Sequence, residues 1–254
     1  MSELQVIAEG GVLRVTINRP AKRNALSRSV LKELGEVFAA GGSDPNLKAA
    51  VLRGSGELCF AAGGDLQELA AIDTAEGAAA MANQVKDCLE NIRRFPLPVI
   101  AALNGDAMGG GAELALACDM RIAASHARIG FVQGRINVTT AWGGGVDLMR
   151  LVGPSAALQL LCQGEMIPAR QAASLGLINR AADDGQTLDA LETDFLAPIL
   201  RQAPHVLRAF KALAYAARSG LSIGELNQLE TRLFAPSWVH QDHLRAVEKL
   251  FAGR

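Results

Sequence analysis

Aromatic residues are scarce in this chain, at 4% with a single Tyr, so base stacking on single-stranded nucleic acid has little to work with. Charge of either sign is not in excess: 25 Lys and Arg stand against 26 Asp and Glu, a formal net of −1. That balance gives no electrostatic reason to expect a nucleic-acid or anionic-membrane partner. No apolar run approaches the ~18–20 residues that a membrane span needs. The first residues, Met1 to Gln5, carry no basic segment and no apolar one, and they are not Arg-rich. Neither a secretory signal nor a mitochondrial transit peptide is therefore expected, and the expected address is the cytoplasm. The four cysteines, Cys59, Cys88, Cys118 and Cys162, lie far apart with no Cys-x-x-Cys pair. A zinc knuckle or thioredoxin-like site is thus unsupported, and in a reducing compartment they read as small core hydrophobes.

Several chemistries lack their motif. There is no Gly-x-Gly-x-x-Gly, no Gly-x-x-x-x-Gly-Lys-Ser/Thr and no Gly-x-Ser-x-Gly, so a dinucleotide fingerprint, a P-loop and a nucleophile elbow are all missing. His240 and His243, with Asp242 between them, read as surface residues rather than ligands, and no metal site is expected.

Glycine is abundant, at 26 residues, and half the chain is hydrophobic, enough for a substantial core. Residues 4–18 read as a hairpin, with Leu13, Val15 and Ile17 alternating against polar neighbours and Gly10-Gly11 at the turn. Ser27 is positioned to cap a helix carrying Val30, Leu31, Leu34, Val37 and Phe38 on one stripe. Short apolar strands are expected at 49–52 and 99–103, and a helix over 76–94 ahead of Pro96 and Pro98. Asp65 with Glu68, and Ser222 with Glu225, have capping-box spacing. Residues 104–111 read as a loop opening a helix at Gly111. Strand, loop and helix recur in order, an α/β pattern with buried, mostly parallel strands, followed by a helical region after about residue 200.

Two segments share one design. Ala62, Gly63, Gly64, Asp65 and Leu66 form the first; Met108 through three glycines to Ala112, Glu113 and Leu114 form the second. In each, glycines open a helix, whose first turn has unpaired N–H donors and a positive dipole end. Without a side chain in the way, two such starts facing each other would bind one carbonyl oxygen and stabilise an oxyanion. The same glycines could also serve only as tight turns. Glu113 follows on an apolar helix face, where a carboxylate is paired, protonated or functional; a salt-bridged structural acid is the plainer alternative.

These residues carry a resemblance. Residues 60–66 (Phe-Ala-Ala-Gly-Gly-Asp-Leu), 104–114 (Asn-Gly-Asp-Ala-Met-Gly-Gly-Gly-Ala-Glu-Leu) and 117–119 (Ala-Cys-Asp) resemble the crotonase (enoyl-CoA hydratase/isomerase) superfamily. Residues 17–20 (Ile-Asn-Arg-Pro), 24–27 (Asn-Ala-Leu-Ser), 142–144 (Trp-Gly-Gly) and 176–179 (Gly-Leu-Ile-Asn) continue the similarity in order, over about residues 4–218. The resemblance implies an α/β spiral of ββα units with a C-terminal helical trimerisation region: a core over 1–200 that binds acyl-CoA, then 201–254 for homotrimer or homohexamer assembly. It implies an acyl-CoA thioester substrate, with CoA as part of the substrate and no separate cofactor. By motif, the oxyanion donors are the N–H groups of Gly64 and Gly110. CoA contacts fall on Lys22 to Ala25 and on Ala61, Ala62, Gly63, Asp65 and Leu66, with Lys249 and Phe251 as looser matches.

One departure bears on the reaction. Family hydratases use two glutamates; Glu113 matches the first, but the second falls on Gln133. Glutamine orients water or a carbonyl yet exchanges no proton near neutral pH. Hydration or isomerisation with Glu113 as acid/base and Gln133 as orienter is the expectation; decarboxylation of a malonyl-type acyl-CoA is the alternative, and a non-catalytic acyl-CoA- or RNA-binding member ranks below both, given the balanced charge and few aromatics.

Overall fold

The computed structural model describes residues 2–252. The expected hairpin forms from β1 (Leu4–Glu9) and β2 (Val12–Ile17), antiparallel across two positive-φ glycines, Gly10 and Gly11. Ser27 Oγ accepts the Val30 N–H and starts α1 (Arg28–Ala40), whose Val30, Leu31, Leu34 and Phe38 are buried. The strands that follow are β3 (Ala49–Gly54), β4 (Cys59–Ala61), β5 (Val99–Leu103), β6 (Asp106–Met108), β7 (Met120–Ala123), β8 (Arg128–Gly130), β9 (Ile167–Pro168) and β10 (Arg180–Ala181).

From β3 to β8, successive strands alternate between two sheets. The larger runs β1-β2-β3-β5-β7-β10 and the smaller β4-β6-β8-β9. Apart from the antiparallel pairs β1/β2 and β8/β9, neighbours are parallel. The pairs β3/β4 and β5/β6 each give one strand to each sheet and then a helix, the spiral of ββα units. All five residues of β5 are buried, as a parallel strand covered on both faces requires.

The helices are α2 (Leu66–Leu69), α3 (Ala75–Arg94), α4 (Gly110–Ala117), α5 (Gly144–Val152), α6 (Pro154–Gln163), α7 (Ala169–Ser174), α8 (Leu188–Leu200), α9 (Pro204–Arg218), α10 (Ile223–Trp238) and α11 (Gln241–Ala252). Two local expectations are corrected. Residues 104–111 are not all loop: Asp106, Ala107 and Met108 form β6, because Ala107 pairs with Ile129 and Asp106 with Cys59. The Asp65–Glu68 capping box does not close. Asp65 caps α2 by accepting the Gln67 N–H, but Glu68 accepts the Arg28 N–H of α1, and the Asp65 N–H goes to Leu26 O. The Ser222–Glu225 box is complete.

After residue 200, α9 is fastened to the core by buried Leu207, Lys211 and Ala216 and by a Lys211–Asp119 ion pair. In contrast, α10 and α11 bury no residue. Among the described residues no helix is long and apolar enough to cross a membrane.

Candidate active site

The two glycine segments meet. Gly63 sits at φ +94°, and a Cβ there would stand 3.2 Å from Met108 O and 3.3 Å from Gly110 N. Backbone bonds set this approach: Leu26 N–H donates to Gly63 O, Ala62 N–H to Arg23 O, and Gly109 N–H to Gly130 O. Gly110 is the first residue of α4, where N–H groups lack intrahelical partners. Among the described residues, neither the Gly64 nor the Gly110 N–H has a hydrogen-bond acceptor. Both are therefore free to donate.

Two asparagines brace the loop beneath. Asn24 Nδ2 and Asn104 Nδ2 both donate to Cys59 O, at 2.6 and 3.1 Å. Asn104 Oδ1 also accepts the Gly54 N–H, so one amide spans the turn between β3 and β4. These asparagines lie in the motif segments, yet their bracing role needed the fold to be visible.

Lys22 to Ala25 lie along residues 61–66, as the Ala62–Arg23 bond and the Leu26–Gly64 bridge require. The Asp65 carboxylate meets Arg19 at 3.0 Å and Lys22 at 3.4 Å. The Arg19 hydrogen bond chiefly holds its pKa below the usual carboxylate value. Arg19, which the sequence did not single out, thus fixes Asp65. Leu66 is exposed, as are Lys249 and Phe251 on α11.

Glu113 is 2% exposed, inside a helix whose residues 111–117 are all buried. Its Oε2 accepts the N–H groups of Trp142 and Gly144, each at 2.9 Å. Its Oε1 accepts Gln133 Nε2 at 2.9 Å and the Ala141 N–H at a longer 3.4 Å. Burial pushes the Glu113 pKa up, and these four donors pull against it, Gly144 and Trp142 most. Glu113 and Gln133 are therefore in contact, the two positions that the resemblance matched to the family's paired glutamates. Because a carboxylate only accepts, the Gln133 nitrogen must face it, which leaves Gln133 Oε1 buried with no partner.

The loop holding Glu113 is itself anchored. Asp147, in the first turn of α5, accepts from Arg93 Nη2 at 2.8 Å and Arg218 Nε at 3.2 Å, joining α3, α5 and α9. No sequence signal linked these three residues.

His240 and Asp242 gather with His205, not His243, within 4.8 Å. The His205 and His240 rings stack at 3.8 Å and 27°. Ring lone pairs lie in the ring planes, which in this stacked arrangement are close to parallel.

The model of the family described as enoyl-CoA hydratase/isomerase matches residues 8–252. The chain belongs to the enoyl-CoA hydratase/isomerase family. This family member is 38% identical to the short-chain-enoyl-CoA hydratase of Clostridium acetobutylicum over 205 residues, 80% of this chain and 77% of that one. It is 37% identical to the 2,3-dehydroadipyl-CoA hydratase of Escherichia coli K12, with both chains fully covered. The enoyl-CoA hydratase structure from Bacillus anthracis superposes with a TM-score of 0.92 at 28% identity, covering 100% of this chain and 97% of the other. Acyl-CoA processing and the crotonase fold follow from this membership. The hydratases among these relatives do not favour the decarboxylase alternative.

Proposed function

We propose that this family member hydrates 2-enoyl-CoA thioesters with one carboxylate, Glu113, and one amide, Gln133. The observation that carries the reading is the unpartnered Gln133 Oε1 beside Glu113 Oε1. In the substrate complex the Gln133 amide turns this oxygen toward the reacting water, which donates one hydrogen to it and one to Glu113 Oε1 and turns a lone pair toward C3 of the enoyl group. Oε2 stays tied to Trp142 and Gly144 and holds the side chain still.

As the water oxygen bonds to C3, the C2–C3 π electrons move into the thioester and its oxygen gains charge. The Gly64 and Gly110 N–H groups stabilise that enolate oxygen. Glu113 takes the water proton and returns it to C2, so one group does the work of two. A carboxylate raised toward neutrality by burial suits both transfers.

CoA lies along Lys22 to Ala25 and the Ala61 to Leu66 backbone. The exposed Lys22 ammonium faces the phosphates, and Asp65 positions Lys22 and Arg19. CoA belongs to the substrate, no further cofactor is needed, and the activity is placed in the cytoplasm. Purified protein should convert crotonyl-CoA to its hydrated product, read by mass spectrometry. Loss of carbon dioxide from methylmalonyl-CoA with no hydration would overturn the reading.

The assembly proposal rests on α10 and α11, where Phe234, Trp238, Leu250 and Phe251 are all more than half exposed. Such a face calls for a partner, and we assign it to copies of this chain. Sedimentation should give a trimer or hexamer, and a monomer at micromolar concentration contradicts this.

A further inference from the structure

We propose that Trp142 sets the width of the acyl group this site accepts, selecting linear chains over those with an aryl or bulky substituent at C3. The proposal rests on the placement of the thioester carbonyl at Gly64 and Gly110.

The Trp142 side chain is held from two sides. Its backbone N–H donates to Glu113 Oε2, and the residue is 5% exposed. Its indole lies close against Gly110, where a Cβ would overlap the ring. A Cβ on Gly64 would stand 3.3 Å from the same ring. One aromatic side chain therefore touches both glycines whose N–H groups take the carbonyl oxygen. The carbons next to that carbonyl, C2 and C3, must run along its edge. Gly110 thus leaves room for the indole, while at Gly64 a Cβ would first meet Leu69 at 2.7 Å and then the indole.

The indole is also a partition. On one side is a cavity of about 400 Å³ between α1 and α3, lined by Leu31, Leu69, Met81 and Val85. On the other is a cavity of about 410 Å³ whose lining includes the charged residues Arg93, Asp147, Arg150 and Arg218. Trp142 lines both. A linear chain passes along the apolar side, whereas a ring at C3 collides with the indole. Removing the indole leaves an aromatic-sized hole open to the second cavity.

The test pairs substrates of different width. Binding is measured with the unreactive butyryl-CoA and 3-phenylpropionyl-CoA, and turnover with crotonyl-CoA and cinnamoyl-CoA, for wild type, Trp142→Phe and Trp142→Ala. Wild type should favour the linear member by roughly 100-fold, the scale of a tight apolar pocket. Trp142→Ala should shrink that preference at least about tenfold in both readouts, with Trp142→Phe between the two. Comparing each ratio across variants cancels the lower intrinsic reactivity of cinnamoyl-CoA. An unchanged ratio in both variants, with melting temperature showing them folded, would overturn the proposal, as would a wild type that binds both thioesters equally. Should no enoyl-CoA be hydrated, the proposed reaction fails, but the binding pair still decides the role of Trp142.

Discussion

Glu113→Gln should lower crotonyl-CoA turnover by roughly 10²–10⁴-fold, a typical general acid–base contribution, while the protein stays folded. The hydrogen bonds explain why the fold survives. The new amide oxygen can accept the Trp142 and Gly144 N–H groups in place of Oε2. Its nitrogen then faces Gln133, whose unpartnered oxygen can turn to accept it. Every strong bond is kept and only the exchangeable proton is lost. Glu113→Ala behaves differently, because it strands the two buried donors at about 1–3 kcal/mol each. Reading kcat and melting temperature on the same preparations separates the roles. A Glu113→Gln protein with full activity would make Glu113 a structural cap of α5.

The pH profile follows from the same group. Glu113 must be ionised to take a proton from water, so activity falls as pH drops through its pKa. Burial places that pKa above the ordinary value of 4.5. With glutamine at 133, the acid limb of kcat/KM should show one ionisation in wild type.

Asp147→Ala should be the most destabilising of these substitutions, at about 3–5 kcal/mol, because it removes the carboxylate that the Arg93 and Arg218 guanidiniums share. Arg93 and Asp147 are both at 8% exposure, and Arg218 closes the third side. Chemical denaturation should show the loss directly, and Asp147→Asn, which keeps the shape and an acceptor, should cost less. Asp147 also fixes the first turn of α5, directly after the N–H groups that hold Glu113. The folded fraction of Asp147→Ala should therefore lose kcat more than it loses CoA binding. A variant as stable as wild type would show that the ion triad contributes nothing.

What could be read ahead of the structure was local. Gly110 and Glu113 are three apart on one helix, so their relation follows from helical spacing. Ser27 and Ser222 announce their helices through near neighbours. Glu68 shows the limit: its spacing from Asp65 is right for a capping box, but a donor on α1 wins its carboxylate. Strand β6 was hidden because three residues among glycines carry little pattern, and only pairing with β4 and β8 makes them a strand. The contact of Trp142 with Gly110 and the meeting of Arg93, Asp147 and Arg218 are tertiary facts, set by how α3, α4, α5 and α9 pack. Periodicity along one chain segment does not encode such contacts.

The central claim is that water adds across an enoyl thioester through Glu113 and Gln133. Its most direct measurement is one turnover of crotonyl-CoA in water labelled with heavy oxygen, followed by mass analysis of the product. The account predicts one labelled oxygen on the acyl group in wild type and none above background in Glu113→Gln. An unlabelled product, or equal labelling in both proteins, would contradict it.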